Sequence, residues 1–455
     1  MKKSTIVLAL MLMIVMPMMA EHVTPETARK VATTFLNNNG AKSSQLIDLS
    51  KAAGFQNLYV FSTEESFVIM AADDCVKPIL GYSLTGKFVA EAMPKNLVWW
   101  LQGYNNEIQY AIDKQAKATS EIAAVWKGLE EGETDMAKSE IVVNALIQTR
   151  WKQREPFNNH CPTGTVTGCV ATAMAQLMKY YEWPKPYGIG THSYIHSTYG
   201  LQSADFYQTA YDWDNMKDYY GNGYTSTEAE AVATLLYHCG VSVNMKYGNS
   251  SSALASDIPH ALINYFNYSR TAEYRRRYPS DSTAYWIADM KAELDAGRPM
   301  EYDGIGNAGG HSFICDGYRT DDYFHFNWGW GGTQNGYYAL SNCSSYGFNS
   351  NHAIIIGIRG PERPTDPEEP EVGIEEHAAI NVNVFPNPTD GSVYVCSGMQ
   401  TVLEVQVTDL CGRTVSRQSV GQSEFRVDLS ECAPGTYLLR MVTDNGVETC
   451  RVVRR

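Results

Sequence analysis

Thr167-Gly168-Cys169-Val170-Ala171-Thr172-Ala173 is the stretch that decides how this chain is read. Gly168 permits a sharp turn, and Cys169 follows at once. Ala171, Ala173, Ala175, Leu177 and Tyr180-Tyr181 come next. The pattern predicts a small-residue helix over 169–181, stopped by Trp183-Pro184. A thiol at a helix N-terminus faces unpaired N–H groups and the positive end of the dipole. Both favour thiolate over thiol, as a nucleophile requires. A buried structural cysteine suits the same place, so a matching histidine has to decide.

The chain has 455 residues, enough for two to four domains, and 44% of them are apolar. A formal net charge of -14 argues against nucleic acid or an anionic membrane surface as a partner. Met1-Lys2-Lys3 and the apolar run from Ile6 to Ala20 predict a secretory signal peptide over residues 1–20. No later apolar run is long enough for a transmembrane helix. None of the 10 cysteines forms a Cys-x-x-Cys pair, so no metal site and no cofactor are expected. If Cys169 is free, nine thiols remain and at least one stays unpaired.

Four further segments follow from the patterning. Residues 21–138 form an N-terminal unit. Its strands are expected at Leu58–Phe61, Phe67–Ala71 and Ile79–Ser83, and its helix begins near Pro94 with Leu97, Leu101, Tyr104 and Ile108 on one face. From Lys114 to Lys138 the chain is polar with little periodicity, and reads as an exposed junction. Residues 139–360 read as helices first and strands from Met300 onward. Thr227 and Glu230 fit a capping box, and a helix over 283–296 ends at Gly297. Gly304 to Gly310 reads as a glycine-rich loop, and 311–318 with 323–328 as a hairpin. Residues 361–377 are an acidic, Pro-rich linker, and 378–455 show the short alternating strands of a small β-sandwich.

A cysteine nucleophile needs a base within hydrogen-bond reach, and the base needs an orienting partner. Of the 10 histidines, His311 stands out: Gly309-Gly310 precede it and Phe313-Ile314 follow. A hairpin centred near Arg319 sets His311 opposite Asn327, where the two share a face. A slip of one residue reverses that face. The Asn327 amide then accepts the imidazole N–H, and Trp328 covers the bond. Gln153 supplies an amide N–H to a developing oxyanion beside the Cys169 backbone N–H. Structural readings of His311, Asn327, Trp328 and Gln153, as strand-edge, hairpin-end, core and loop residues, stay open on this evidence.

Gly168-Cys169-Val170-Ala171-Thr172-Ala173 with Gln176-Leu177-Met178-Lys179-Tyr180 resembles the nucleophile helix of the streptopain family of papain-like cysteine peptidases. Gly309-Gly310-His311-Ser312-Phe313 resembles that family's histidine segment, and Phe326-Asn327-Trp328-Gly329-Trp330-Gly331-Gly332 its asparagine segment. Trp151-Lys152-Gln153 with Pro156-Phe157-Asn158 resembles its oxyanion-glutamine segment. The resemblance implies Cys169 as nucleophile, His311 as general base and acid, Asn327 as orienter and Gln153 in the oxyanion hole. It implies an α+β chain: a papain-like catalytic domain of a helical part plus an antiparallel sheet, a small α+β inhibitory pro-domain, and a C-terminal β-sandwich. Phe385-Pro386-Asn387-Pro388, Asp409-Leu410-Cys411-Gly412-Arg413 and Pro434-Gly435-Thr436-Tyr437 are similar to the sorting domain of type IX secretion substrates.

The expected protein is therefore a secreted or surface cysteine endopeptidase made as a zymogen. Its expected partners are protein or peptide substrates, its own pro-domain and type IX secretion machinery. Two competing readings remain: a papain-like acyltransferase, which ping-pong kinetics with an added amine would reveal, and a non-catalytic adhesion or inhibitor protein on a peptidase fold.

Overall fold

The computed structural model describes residues 22–41, 45–133, 140–278, 282–306, 309–340, 352–360, 383–397, 401–409, 413–443 and 446–455. The expected signal peptide and the linker over 361–377 lie outside them. The chain divides into two compact units, Met1–Glu362 and Arg363–Arg455.

In the first unit, helix α1 (Pro25–Asn38) opens on Thr24, whose side chain accepts from the Thr27 N–H, and it buries Val31, Phe35 and Leu36. Strand β1 (Ile47–Asp48), the short helix α2 (Ser50–Ala53) and strands β2 (Leu58–Ser62), β3 (Phe67–Ala71) and β4 (Ile79–Ser83) follow. β2, β3 and β4 are buried at every position. That is why they read as continuous apolar runs rather than alternating ones. Helix α3 (Lys95–Asp113) buries the expected face of Leu97, Leu101, Tyr104 and Ile108, and Trp100 with them.

The polar junction expected from Lys114 to Lys138 is corrected over half its length. Residues Ser120–Glu131 form helix α4, capped by Thr119 and ended by Gly132 in the left-handed region. Trp126 and Leu129 anchor it, and the Trp126 indole donates to Val76 O at 2.8 Å. Ile122 and Val125 pack beside them, partly buried, so the apolar face is short and sits between charged ends.

Then come β5 (Ile141–Val143), α5 (Cys169–Tyr181), the hairpin β6 (Thr191–His196) and β7 (Gly200–Asp205), α6 (Ser226–Ser242), α7 (Ile258–Asn264), β8 (Glu273–Arg276), α8 (Thr283–Asp295), β9 (Met300–Gly306), β10 (Gly309–Arg319), β11 (Tyr323–Asn327), β12 (Gly336–Ala339) and β13 (His352–Ile356). The capping box of α6 is Thr225 with Glu228, two residues ahead of the expected pair. Both pairs fit the spacing. The earlier one lets Ala229 N–H reach Thr225 O and begins the buried face a half-turn sooner. The expected loop over 304–310 is largely strand: Gly306 pairs with Gly309, and Gly304 with His311.

One sheet runs β1-β2-β3-β4-β12-β11-β10-β9-β13-β8, with β5 added along β10. The N-terminal strands are thus continuous with those that carry His311 and Asn327. The join is close: Tyr337 pairs with Tyr82 and Tyr338 with Gly81. A Cβ on Gly81 would stand 2.6 Å from the Tyr338 ring. One apolar core covers α1, α3 and one face of the sheet, including Phe313, Phe326 and Trp328. The other face, with Ile314 and Ile355, packs on α5 and α6.

Trp100 is central to the first core. It is fully buried and lies edge-on to Phe326, with ring centroids 4.8 Å apart. Trp100→Ala should lower stability by about 3–5 kcal/mol through the cavity it leaves. The urea midpoint should fall accordingly, and the N-terminal residues should become the first cleaved by an added protease.

The second unit is a two-sheet sandwich. One sheet is β14 (Asn383–Phe385), β15 (Ser392–Cys396) and β18 (Glu424–Asp428). The other is β17 (Thr414–Gln422), β16 (Val402–Asp409), β19 (Gly435–Thr443) and β20 (Gly446–Arg454). Val393, Val395 and Val427 of the first meet Val405, Val407, Leu439, Met441 and Val452 of the second.

Candidate active site

Helix α5 begins at Cys169, as its sequence predicts. Gly168 ahead of it has φ +87°, and a Cβ there would stand 2.8 Å from Met245 Sδ, so glycine is required twice over. The entering loop is clamped from several sides. Thr167 N–H donates to Gln153 O at 3.1 Å, and Ser251 Oγ donates to Val166 O at 2.6 Å. The Thr172 hydroxyl closes the first turn on Gly168 O at 2.9 Å. The first of these bonds carries Gln153, predicted for the oxyanion hole, to the threshold of the helix.

Gln176 ties three elements together from inside α5. Its Oε1 accepts from the Thr149 hydroxyl at 3.0 Å, the Trp151 N–H at 3.2 Å and the Asn327 amide at 3.4 Å. The residue is fully buried. Sequence reasoning assigned it no role, although a glutamine on an otherwise apolar helix face two turns after the nucleophile was a signal. Asn327 is held further by donating to Thr149 O at 2.8 Å and by accepting from the Gly329 N–H at 3.1 Å.

The expected opposition of His311 and Asn327 is corrected. Asn327 pairs with Ile314, while His311 pairs with Gly304. A bulge between Cys315 and Gly317 displaces the register that a plain hairpin would have. Side chains alternate along β10, so Ser312 and Ile314 turn toward α5, and His311 and Phe313 turn the other way. Trp328 packs against Phe313 on that second side, with tilted rings 4.6 Å apart, and donates its indole N–H to Gln334 O at 2.9 Å.

What stands on the His311 side is helix α3. A Cβ on Gly304, its strand partner, would meet the Trp99 ring at 2.3 Å. Asn96 donates to Trp328 O at 2.9 Å. Burial, and secondarily the Lys95 ammonium, hold the His311 pKa below its usual value, so the imidazole is kept neutral. The Cys169 thiol is shifted as well. Burial pushes the Cys169 pKa up; the backbone N–H groups of Ser312 and Val170 oppose this, and the carboxyls of Asp303 and Glu301 add to it. Burial outweighs the helix-end effect that the sequence emphasised.

The comparisons bear on this arrangement. Residues 20–108 match the Spi protease inhibitor family, 151–338 the Peptidase C10 family, and 383–455 the secretion system C-terminal sorting domain. Streptopain of Streptococcus pyogenes is 30% identical over 380 residues, which span 73% of this chain and 90% of streptopain. The chain belongs to the streptopain, or C10, family of peptidases.

Two further relatives extend the comparison. The thiol protease/hemagglutinin PrtT of Porphyromonas gingivalis is 31% identical over 402 residues, 79% of this chain, which spans 44% of that longer protein. A prointerpain A fragment of Prevotella intermedia superposes with a TM-score of 0.57 at 31% identity, covering 70% of this chain and 99% of the fragment. This C10 peptidase is thus a papain-like cysteine endopeptidase with an inhibitor pro-domain and a C-terminal sorting domain. His311 and the Cys169 thiol lie on opposite sides of β10, the first toward α3 and the second at the start of α5.

Proposed function

We propose that Cys169 is the nucleophile, His311 the general base and acid, Asn327 the orienter of His311, and Gln153 an oxyanion donor, with Trp328 covering the Asn327 bond in the active form. The observation that carries this reading is the Gln176 hub, which ties α5, the loop leading to Gln153 and the Asn327 strand into one frame. His311 stands one strand position from Ser312, whose N–H already meets the thiol. A local change of backbone at the start of β10, next to Gly309-Gly310, would bring the imidazole to the thiol side while Phe313 and Ile314 keep their cores. Departure of α3 would take the Trp99 ring and the Lys95 charge away from the His311 side of the sheet.

On this reading residues 1–20 direct export, 21–138 inhibit, 139–360 cleave protein and peptide substrates, 361–377 are a linker, and 378–455 engage type IX secretion machinery. The mature enzyme then acts outside the cell or at its surface. Labelling of the activated enzyme with a thiol-directed peptidyl epoxide tests the central assignment: the adduct should sit on Cys169, and an unlabelled Cys169 would return the protein to a non-catalytic reading.

Gln153→Ala should lower kcat by roughly 10²–10³-fold while leaving KM nearly unchanged, because the oxyanion exists only near the transition state. Steady-state kinetics on a peptide substrate read the split. A pure KM effect would move Gln153 to substrate binding.

A further inference from the structure

The segment that leads into Gln153 and the glycine-rich loop after Asn327 close on each other. The Gly331 N–H donates to Trp151 O at 2.8 Å. Gly332 has φ +84°, and a Cβ there would stand 2.7 Å from Arg150 Cδ, so the Arg150 stem lies across bare backbone. Between the two segments is a cleft of about 210 Å³. A water's share of liquid volume is about 30 Å³, so the cleft has room for a side chain. The buried Phe157 forms its floor, the rings of Tyr219 and the exposed Trp330 its walls, and Arg150 and Lys152 its edge. The described residues around it all belong to 139–360, and both cations are exposed with the N-terminal unit in place.

The charge of this cleft is uncompensated. Among the described residues no carboxylate lines it, and neither Arg150 nor Lys152 is in an ion pair. The neighbouring cation Lys217 differs, with Glu228 3.6 Å from its ammonium. Asp218 meets the segment through its backbone, whose carbonyl accepts from the Arg150 N–H at 2.7 Å. Arg150 lays its guanidinium over the Tyr219 ring, 4.2 Å from the centroid. That contact holds the planar fork in place and leaves its edge to receive an oxyanion. In a chain of net charge -14 the cleft is a local reversal of sign, which steers acidic groups to this place.

We propose that this cleft is a substrate subsite that takes an aspartate or glutamate side chain of the peptide close to the bond being cleaved. The proposal rests on Cys169 and Gln153 acting as read above. Lys152 precedes Gln153, whose carbonyl accepts from the Thr167 N–H at 3.1 Å, two residues before Cys169. Trp330 follows Asn327 by three positions. An extended peptide advances about 3.3–3.6 Å per residue, so a side chain two or three positions from the scissile carbonyl stands about 10 Å along the substrate. The carboxylate meets Arg150 and Lys152 while its methylenes lie between Tyr219 and Trp330. Glutamine fills the same space without the charge, and lysine brings the wrong one.

The test uses the activated enzyme and fluorogenic peptides carrying Glu, Gln or Lys in turn at each position near the scissile bond, on both sides of it. At one position Glu should exceed Gln in kcat/KM by roughly three- to tenfold, as two partly exposed charge pairs allow, and the excess should shrink as salt rises. Arg150→Glu with Lys152→Glu should reverse the order, with Lys above Glu at that same position. The comparison is between peptides on one enzyme, so a general loss of rate in the variant leaves the ratio readable. Glu no better than Gln at every position overturns the inference on the wild type alone, and so does a Glu preference that the double substitution leaves intact. If no peptide is cleaved and Cys169 takes no epoxide, the peptidase assignment itself fails and the subsite with it, an outcome distinct from cleavage indifferent to charge.

Discussion

Cys169→Ala should reduce hydrolysis to background, a fall on the order of 10⁵–10⁶-fold in kcat. The neighbouring hydroxyls cannot take over. Thr167 and Thr172 bond each other at 2.9 Å, and Thr172 also caps the helix turn on Gly168 O. Ser312 Oγ has no base beside it; its neighbour is the Glu301 carboxyl, which burial keeps protonated well above the usual carboxylate range. The fold should survive, because the change removes one half-buried sulfur and touches no hydrogen-bonded clamp; the loss of stability should be about 1 kcal/mol or less. The variant should also accumulate as an uncut chain, and a trace of active enzyme should cut it in trans. Retention of a few per cent of wild-type turnover in a properly folded Cys169→Ala protein would sink the assignment.

Activation should produce the second large effect. The full-length chain should hydrolyse casein at roughly 10²–10⁴-fold below the processed form, the range that general acid–base catalysis contributes. Two features of the latent state account for it. His311 sits on the face opposite the thiol, and burial raises the thiol pKa, so below that raised value the sulfur is protonated. Alkylation of Cys169 should accordingly begin at a lower pH once the N-terminal unit has gone.

The cut has a restricted place. Helix α4 is docked through Trp126, and β5 is laddered to β10 through Val143 with Tyr318 and Ile141 with Arg319. Asn38 bonds Glu133 O at 2.8 Å. A new N-terminus is therefore expected between residues 134 and 141, which N-terminal sequencing reads directly. The nicked complex should stay inhibited until the unit is digested or diluted away, since β4–β12 pairing and the Trp100 core do not depend on chain continuity. Equal casein hydrolysis by the uncut and processed forms would refute an inhibitory role for residues 21–138.

Much of this protein is determined locally. The helix over Cys169–Tyr181 is legible because its start needs only a glycine and its end only a bulky stop, both within one stretch of chain. The apolar runs of β2, β3 and β4, and the face of α3, follow from burial patterns that a short window contains. The order of the four motif segments identifies the family for the same reason: each keeps its residues together in sequence.

The tertiary structure alone decided which face of β10 carries His311. That choice depends on the pairing with β9 and on a bulge at Cys315–Gly317, and the side it gives is lined by Trp99 and Lys95, which arrive from more than 200 positions earlier. Side-chain direction in a strand changes with every single residue of register, so a local pattern cannot settle it. The same limit hid the Gln176 hub and the acids of β9. Glutamine, glutamate and aspartate look like surface residues in sequence, and only the packing of α5 against the sheet buries them near Cys169.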